Sequence, residues 1–133
     1  MLPQRHRLRL SRDFTQVYRF GRKAVSSHMV VRVFKPQEQA QPDSAEPFLW
    51  PPQPLTPVKV GITVSQKVHR RAVVRNRLKR QIRAIMATLI PALPAGLWVV
   101  VSLRPGADQC EYGEFLQELK QLLIQLEVLH GHS

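Results

Sequence analysis

Alternating and continuous apolar stretches predict four strands in this chain, and apolar positions spaced by three and four predict three helices. The predicted strands are Ala24–Ser26, His28–Phe34, Val58–Val64 and Leu97–Leu103. The predicted helices run from Ser11 to near Gly21, from Arg71 to Leu89 and from Tyr112 to Leu129, with Ser11 as the expected N-cap of the first. The order α-β-β-β-α-β-α is typical of an α+β sandwich in which helices pack on a four-stranded sheet.

Residues 36–57 interrupt this pattern, because they hold seven of the eleven prolines of the chain. Such a composition predicts an extended surface loop and not a second domain. A length of 133 residues fits one domain of ordinary size. We therefore expect a single domain over residues 1–133 that carries this proline-rich loop.

The helix predicted over Arg71–Leu89 has one apolar and one basic side. At about 100° per residue, its large apolar side chains fall within one arc that suits packing on a sheet. These side chains are Val74, Leu78, Ile82, Ile85, Met86 and Leu89. The remaining arc holds Arg75, Asn76, Arg77, Lys79, Arg80 and Arg83.

Charge is segregated along the chain, whose formal net charge is +11. Residues 47–107 contain ten Lys or Arg and no acid, whereas the last 26 residues hold five of the nine acids. Like charges four residues apart, such as Arg75 and Lys79, destabilise a helix unless an external anion offsets them. The pattern predicts a polyanionic partner, and nucleic acid is the leading candidate.

Two plainer interpretations of the basic helix stay open at this point. It can be the solvated face of an ordinary helix, or an amphipathic helix on an anionic membrane, although its narrow apolar arc is needed for the core. The single cysteine, Cys110, excludes an intramolecular disulfide framework and a Cys-based zinc finger. The five histidines show no spacing typical of a metal site, and we expect neither a signal peptide nor a transmembrane helix.

Two motifs in the middle of the chain are long and specific. The strand sequence Val60-Gly-Ile-Thr-Val-Ser-Gln-Lys-Val68 is followed by Arg75-Asn-Arg-Leu-Lys-Arg80 and a further Arg83. With Asp13-Phe-x-x-Val-Tyr18 near the start and Leu103-Arg-Pro-Gly106 after the last strand, they resemble the signature of the bacterial ribonuclease P protein component. The resemblance covers nearly the whole chain except residues 36–57 and the tail.

The resemblance implies the protein subunit of a ribonucleoprotein endoribonuclease, whose catalytic RNA removes the 5′ leader from precursor tRNA in the cytoplasm. It implies that Mg²⁺ is held mainly by the RNA and that the chain supplies no catalytic residue. We name no metal-binding residue, the sequence does not tell whether the chain holds a metal ion of its own, and we predict no obligate protein partner. It also implies a fold similar to the second domain of ribosomal protein S5, with a left-handed β-α-β crossover.

The resemblance further implies two groups of RNA-binding residues. The catalytic RNA is expected to contact Arg70, Arg71, Arg75, Asn76, Arg77, Lys79, Arg80 and Arg83. The precursor tRNA leader is expected in a cleft with Phe14 and Tyr18, with Val31 or Phe34 from the strand, and with Arg12, Arg19, Arg32 and Lys67 near its phosphates. Aromatic rings suit an unpaired strand because every base has a π-face, although plain core packing of the two helix aromatics is the alternative.

Two other classes of protein carry similar charge. A ribosomal or RNA-chaperone protein with no part in cleavage has similar basic residues, but it does not require the ordered Arg-Asn-Arg motif. A helix-turn-helix DNA binder requires a short helix and a tight turn before its recognition helix, whereas a β-rich stretch precedes Arg71.

Overall fold

The computed structural model describes residues 6–36 and 57–129, and these ranges contain three helices and four strands. The helices are α1 (Ser11–Phe20), α2 (Ala72–Leu89) and α3 (Tyr112–Gln125). The strands are β1 (Arg22–Val25), β2 (Met29–Phe34), β3 (Lys59–Thr63) and β4 (Trp98–Leu103). Single 3₁₀ turns at Ile90–Ala92 and Ala107–Gln109 follow α2 and β4. The predicted α+β class and element order are confirmed.

The four strands form one mixed sheet in the order β1-β2-β4-β3. β2 runs antiparallel to both β1 and β4, with Val30 opposite Ser102, while β3 runs parallel to β4, with Lys59 opposite Trp98. The parallel pair β3 and β4 is joined through α2, which makes a β-α-β unit. The left-handed sense of this crossover and the likeness to ribosomal protein S5 stay predictions.

Both faces of the sheet are covered, because successive residues of a strand point to opposite sides. On one face, Val99 and Val101 of β4 belong to the larger core with the buried residues of α2 and α3. On the other face, Val100 joins a smaller core with Val17 of α1 and Phe34 of β2. The last strand is therefore covered on both sides, and α1 lies across the sheet from α2.

The apolar arc of α2 packs as its spacing predicts. Leu78, Ile82, Ile85, Met86 and Leu89 are buried, and Val74 is half-buried. The α-helix ends at Leu89 and continues as a 3₁₀ turn that contains Pro91. A proline has no N–H to donate to the carbonyl four residues earlier, which accounts for the change in helix type.

The ends of α1 differ in part from the prediction. Ser11 is not the N-cap: Leu10 is, because its carbonyl accepts the N–H of Asp13 at 3.0 Å. The helix stops before Gly21 as predicted. A Cβ on Gly21 would lie 2.5 Å from the carbonyl oxygen of Val17, so the close packing of the chain at this point requires glycine.

The last helix is shorter than the predicted Tyr112–Leu129, because α3 ends at Gln125. Glu127 adopts the left-handed region with φ 64°. Its N–H donates to Ile124 at 2.9 Å, and that of Val128 donates to Leu123 at 3.1 Å. These two bonds close the helix in a Schellman motif, which the periodicity of the leucines does not indicate.

The proline-rich loop at 36–57 lies, except for its two end residues, outside the described residues. Within the described ranges, no helix combines the length and the apolar character that crossing a membrane requires.

Candidate RNA interface

The basic side of α2 is open to solvent along most of its length. Asn76, Arg77 and Arg80 are exposed on the helix, and Arg70 and Arg71 are exposed immediately before it. None of these five side chains contributes to the buried core. The solvent-facing arc predicted from the spacing is therefore confirmed as a surface, and its contact with RNA stays a prediction.

The cations of α2 have no carboxylate partner within the part of the chain that the structure describes. The ion pairs Arg12–Asp13 and His28–Glu118 lie on other elements. The first turn of α2 contains no acidic residue, and its N-cap makes no side-chain hydrogen bond. The partial positive charge of the helix N-terminus therefore adds to the field of the arginines.

Arg75 differs from its neighbours because its guanidinium is bound within the chain. Its Nη1 donates to the carbonyl of His69 at 3.0 Å and to that of Arg70 at 2.8 Å. Arg75 thus ties the loop before α2 to the first turns of the helix. A guanidinium has five N–H donors, and the two hydrogen bonds described use only Nη1. The contact of Arg75 with the catalytic RNA therefore stays a prediction that is compatible with this positioning role.

Lys67 lies beside the N-terminus of α2. Together with Arg70, Arg71 and Val74 it lines a basic recess between β3 and the helix. The prediction placed Lys67 with the leader-binding residues, whereas the structure groups it with residues assigned to the catalytic RNA. The recess is suited to phosphate, because it combines several cations with a helix N-terminus.

Arg83 is half-buried on the margin of the basic face, and so is Lys79. Burial, and after it the charge of Arg7, lowers the pKa of the Arg83 guanidinium. Arg7 reaches this position because the N-terminal segment pairs with β3, where the N–H of Leu8 donates to Val60 at 2.9 Å. The central motif gave no indication of this neighbour, since Arg7 precedes the first helix.

On the opposite face of the sheet, Tyr18 and Arg32 come together. The guanidinium carbon of Arg32 lies 4.6 Å from the centre of the Tyr18 ring, a cation–π contact, and 45% of Tyr18 is exposed. The alternative that Tyr18 belongs only to the core is therefore wrong. The exposed ring and the adjacent cation form a surface that suits a base and its phosphate.

Phe14 is more deeply placed than Tyr18. It is half-buried at the edge of the smaller core, against Gly61 of β3. A Cβ on Gly61 would lie 2.5 Å from Cε1 of Phe14, so the ring rests directly on the glycine backbone. Phe14 is thus partly in the smaller core and partly at the surface beside α1, where the leader groove is predicted.

Successive residues of β2 point to opposite faces of the sheet, and its even-numbered residues lie on the face covered by α1. Val31 is wholly buried in the larger core beneath α2 and α3, so its assignment to the cleft is wrong. Val30 lies on the same face as Arg32 and is half-buried. Phe34 shares that face but is only 6% exposed, because it packs edge-on against Trp98 with 5.9 Å between ring centres. Phe34 thus lies beneath this surface, and Val30 is a half-buried strand residue of the same face that the sequence analysis does not name.

Two further arginines of the predicted leader site, Arg12 and Arg19, lie on α1. Arg12 is highly exposed and 4.0 Å from the carboxylate of Asp13, a distance at which the pair contributes little. Arg19 stands over the ring of Phe20 at 5.7 Å, and that ring is 56% exposed. Exposed cations and aromatic rings therefore lie beside one another on α1 and β2, and groups of these kinds suit phosphates and bases.

A family model and curated relatives all point to the same protein family. The family model described as Ribonuclease P matches residues 2–127. The ribonuclease P protein component of a Cyanothece species is 45% identical over 133 residues, covering 99% of this chain and 100% of the relative. That of Microcystis aeruginosa is 43% identical over 131 residues, covering 98% of each chain.

Solved structures agree with the architecture. The ribonuclease P protein of Staphylococcus aureus is similar with a TM-score of 0.74 and 22% identity, over 94% of this chain and 98% of that one. The protein from Thermotoga maritima is similar with a TM-score of 0.66 and 25% identity, again over 94% and 98%.

Proposed function

The chain belongs to the family of bacterial ribonuclease P protein components, and on that premise we propose that it binds the catalytic RNA through α2 and the precursor tRNA leader through the groove beside α1. In this proposal it acts in the cytoplasm as one RNA-binding domain. It assists the endonucleolytic step that gives the mature 5′ end of tRNA.

The observation that carries the proposal is the unpaired basic face of α2. The helix exposes Arg77 and Arg80 and has a basic recess at its N-terminus. Its cations have no carboxylate partner among the described residues, so phosphates that approach the helix stabilise it. Arginine is suited to this role, because its planar fork matches phosphate oxygens and its face stacks on bases.

The second half of the proposal concerns the leader. An unpaired strand presents bases and phosphates in alternation, and the groove offers the Tyr18 ring beside the Arg32 guanidinium. This surface lies across the sheet from α2, so the two RNAs need not compete for the same residues. The protein can therefore hold the catalytic RNA and the leader together.

We further propose that the catalytic Mg²⁺ ions are held mainly by the RNA. Hard Mg²⁺ ions favour oxygen ligands and retain several waters, and RNA phosphates supply such oxygens. The chain contributes positioning of the substrate, and the reaction chemistry belongs to the RNA.

Binding of the catalytic RNA is tested by its salt dependence. About six phosphate contacts predict that the logarithm of the affinity falls with the logarithm of salt concentration with a slope of roughly −4 to −5. A slope shallower than about −2 would show that the basic face is not the binding surface.

Leader binding is tested with the Tyr18→Ala variant in the holoenzyme reconstituted with a bacterial catalytic RNA. We expect the affinity for precursor tRNA to fall by about 1–3 kcal/mol, while the affinity for mature tRNA stays the same. Tyr112→Ala is the matched control, because Tyr112 is a similarly exposed tyrosine, 43% against 45%, on a helix of the other face. Equal losses for precursor and mature tRNA, or equal effects of the two variants, would contradict the assignment of the groove.

Assistance in cleavage is tested by single-turnover cleavage of precursor tRNA at low Mg²⁺, with and without the protein. We expect cleavage to be faster with the protein. Unchanged cleavage despite RNA binding would favour the alternative, a ribosomal or RNA-chaperone type of binding protein.

A further inference from the structure

A side-chain cluster that neither RNA surface uses lies at the corner where β1, β2 and α3 meet. It joins His28, in the turn before β2, Cys110, in the loop before α3, and Glu118, within α3. A nitrogen of His28, the sulfur of Cys110 and a carboxylate oxygen of Glu118 all lie within 4.8 Å of one another. Three different ligand types therefore converge from three separate segments of the chain.

The carboxylate of Glu118 is held in place by three donors. Ser26 donates its hydroxyl to Oε1 at 2.5 Å, the backbone N–H of His28 donates to the same oxygen at 3.3 Å, and Nδ1 of His28 lies 2.7 Å from Oε2. The turn itself is fixed from the other side by Arg104, whose Nη1 donates to the carbonyl of Ser26 at 2.8 Å. The hydrogen bonds from Ser26, from the backbone N–H of His28 and from Arg104 are of the outer kind that orients ligands in metal sites.

The electrostatic environment of Cys110 favours a cation. Glu114, Glu118 and Asp108 place three carboxylates near its sulfur. They lie together in a chain whose formal net charge is +11. A bound divalent cation would offset this local concentration of negative charge.

We propose that His28, Cys110 and Glu118 form a binding site for a zinc-like divalent cation, with water or a neighbouring carboxylate as the fourth ligand. A nitrogen, a sulfur and an oxygen suit Zn²⁺, which binds thiolate, imidazole and carboxylate in tetrahedral sites, whereas Mg²⁺ favours oxygen alone. Bond lengths of about 2.0–2.3 Å place ligand atoms about 3.3–3.8 Å apart, so a pair of ligand atoms within 4.8 Å needs to close by about 1.5 Å at most. The ion replaces the thiol proton of Cys110, so one proton leaves for each ion that binds.

The site would fasten α3 to the β1–β2 turn, in the face of the molecule that lies away from the leader groove. It is independent of the proposed RNA surfaces, because none of its three ligands is among their residues. Its function would be to stabilise the fold through the metal.

The test is a titration of the purified full chain with Co²⁺, a spectroscopic substitute for Zn²⁺. We expect a thiolate-to-cobalt charge-transfer band that saturates at one ion per chain and disappears when one equivalent of Zn²⁺ is added. Cys110→Ser should lose the band, and both Cys110→Ser and Glu118→Gln should weaken Zn²⁺ binding by about tenfold or more.

Two control variants separate this site from other histidines. His69→Ala removes a half-buried histidine of another loop, and a combined His130→Ala, His132→Ala variant removes the two histidines at the end of the sequence. Both should retain the band and the affinity. In addition, Zn²⁺ should raise the Tm of the wild type and leave that of Cys110→Ser unchanged, with melting curves in chelator showing that all variants fold.

Absence of a charge-transfer band at one equivalent of Co²⁺ would overturn the proposal. So would a band that survives in Cys110→Ser, or Zn²⁺ binding that is lost only with His130 and His132.

Discussion

Replacing Gly61 with alanine tests how the groove beside α1 is built. The new Cβ would lie 2.5 Å from Cε1 of Phe14 and 3.3 Å from Cβ of Leu8. Carbon atoms pack best at about 3.5–4.0 Å, so the Phe14 ring has to retreat by about 1–1.5 Å. The backbone of β3 cannot yield as easily, because it is paired with β4 along its whole length.

The cost follows from this overpacking. Adding a methylene to a well-packed site costs typically about 1–3 kcal/mol, and we expect the free energy of unfolding of Gly61→Ala to fall by that amount. Phe14→Leu removes the ring atoms that the new methyl group meets. In the Phe14→Leu background, the same glycine substitution should therefore cost less than about 0.5 kcal/mol.

The measurement is a double-mutant cycle by urea unfolding of the four proteins. Gly113→Ala is the matched control, since nothing lies within 4 Å of a Cβ at this position of α3, and it should stabilise the fold by about 0.5–1 kcal/mol. A functional measurement accompanies the cycle: the double variant should have nearly the stability of Phe14→Leu alone, and its affinity for precursor tRNA should be reduced because the aromatic ring is absent. An equal cost of Gly61→Ala in both backgrounds would refute the packing argument.

Three further predictions concern α2 and the α3 corner. Arg75→Ala should lower the free energy of unfolding by about 1–2 kcal/mol, because two loop carbonyls lose their donor. Arg80→Ala should change the free energy of unfolding by less than about 0.5 kcal/mol and weaken catalytic-RNA binding by about tenfold. Urea unfolding and filter binding of both variants check this contrast. Ile82→Ala should cost about 2–5 kcal/mol of stability, since the side chain is wholly buried; a cost below 1 kcal/mol by urea unfolding would contradict that packing. Burial raises the pKa of Glu118, but hydrogen bonds from Ser26 and His28 outweigh burial and lower it from its ordinary 4.5. The contribution of Glu118 to stability is therefore complete above pH 4.5 and is lost as the pH falls through the lower folded-state pKa; in unfolding titrations the stability gap between wild type and Glu118→Gln should narrow as the pH falls below 4.5.

The fold was largely predictable because its information is local. Five of the six apolar positions on the α2 arc are buried and the sixth is half-buried, as the spacing of three and four predicts. The ends of elements were less predictable. A carbonyl of Leu10 begins α1, and a left-handed Glu127 stops α3, and neither residue type signals these roles.

The proposed leader groove shows what the alternation of a strand can predict and what it leaves undecided. Val31 and Phe34 are three residues apart on one strand, so they point to opposite faces and cannot both line the same cleft. Alternation alone excludes the pair but does not say which face is solvent-accessible. That choice is made by α1, which brings Tyr18 beside Arg32 and leaves Val30 half-buried on the same face.

The cluster at the α3 corner was beyond sequence reasoning for a different reason. His28 and Glu118 are 90 positions apart, and Cys110 lies in a third segment. Histidine and cysteine spacing reveals metal sites only when the ligands share one motif. Here the sheet and α3 have to assemble before the three side chains meet.

The placement of the two proposed RNA surfaces has an energetic consequence. Tyr18 belongs to the face of the sheet covered by α1, and Arg80 to the helix that covers the other face. Residues that share no partner and are separated by a packed layer usually contribute additively, within about 0.3–0.5 kcal/mol. The loss of holoenzyme affinity for precursor tRNA in a Tyr18→Ala, Arg80→Ala double variant should therefore equal the sum of the single losses once the catalytic RNA is saturating. A coupling larger than about 1 kcal/mol would mean that one RNA segment contacts both faces, and the two surfaces would have to be redrawn as one.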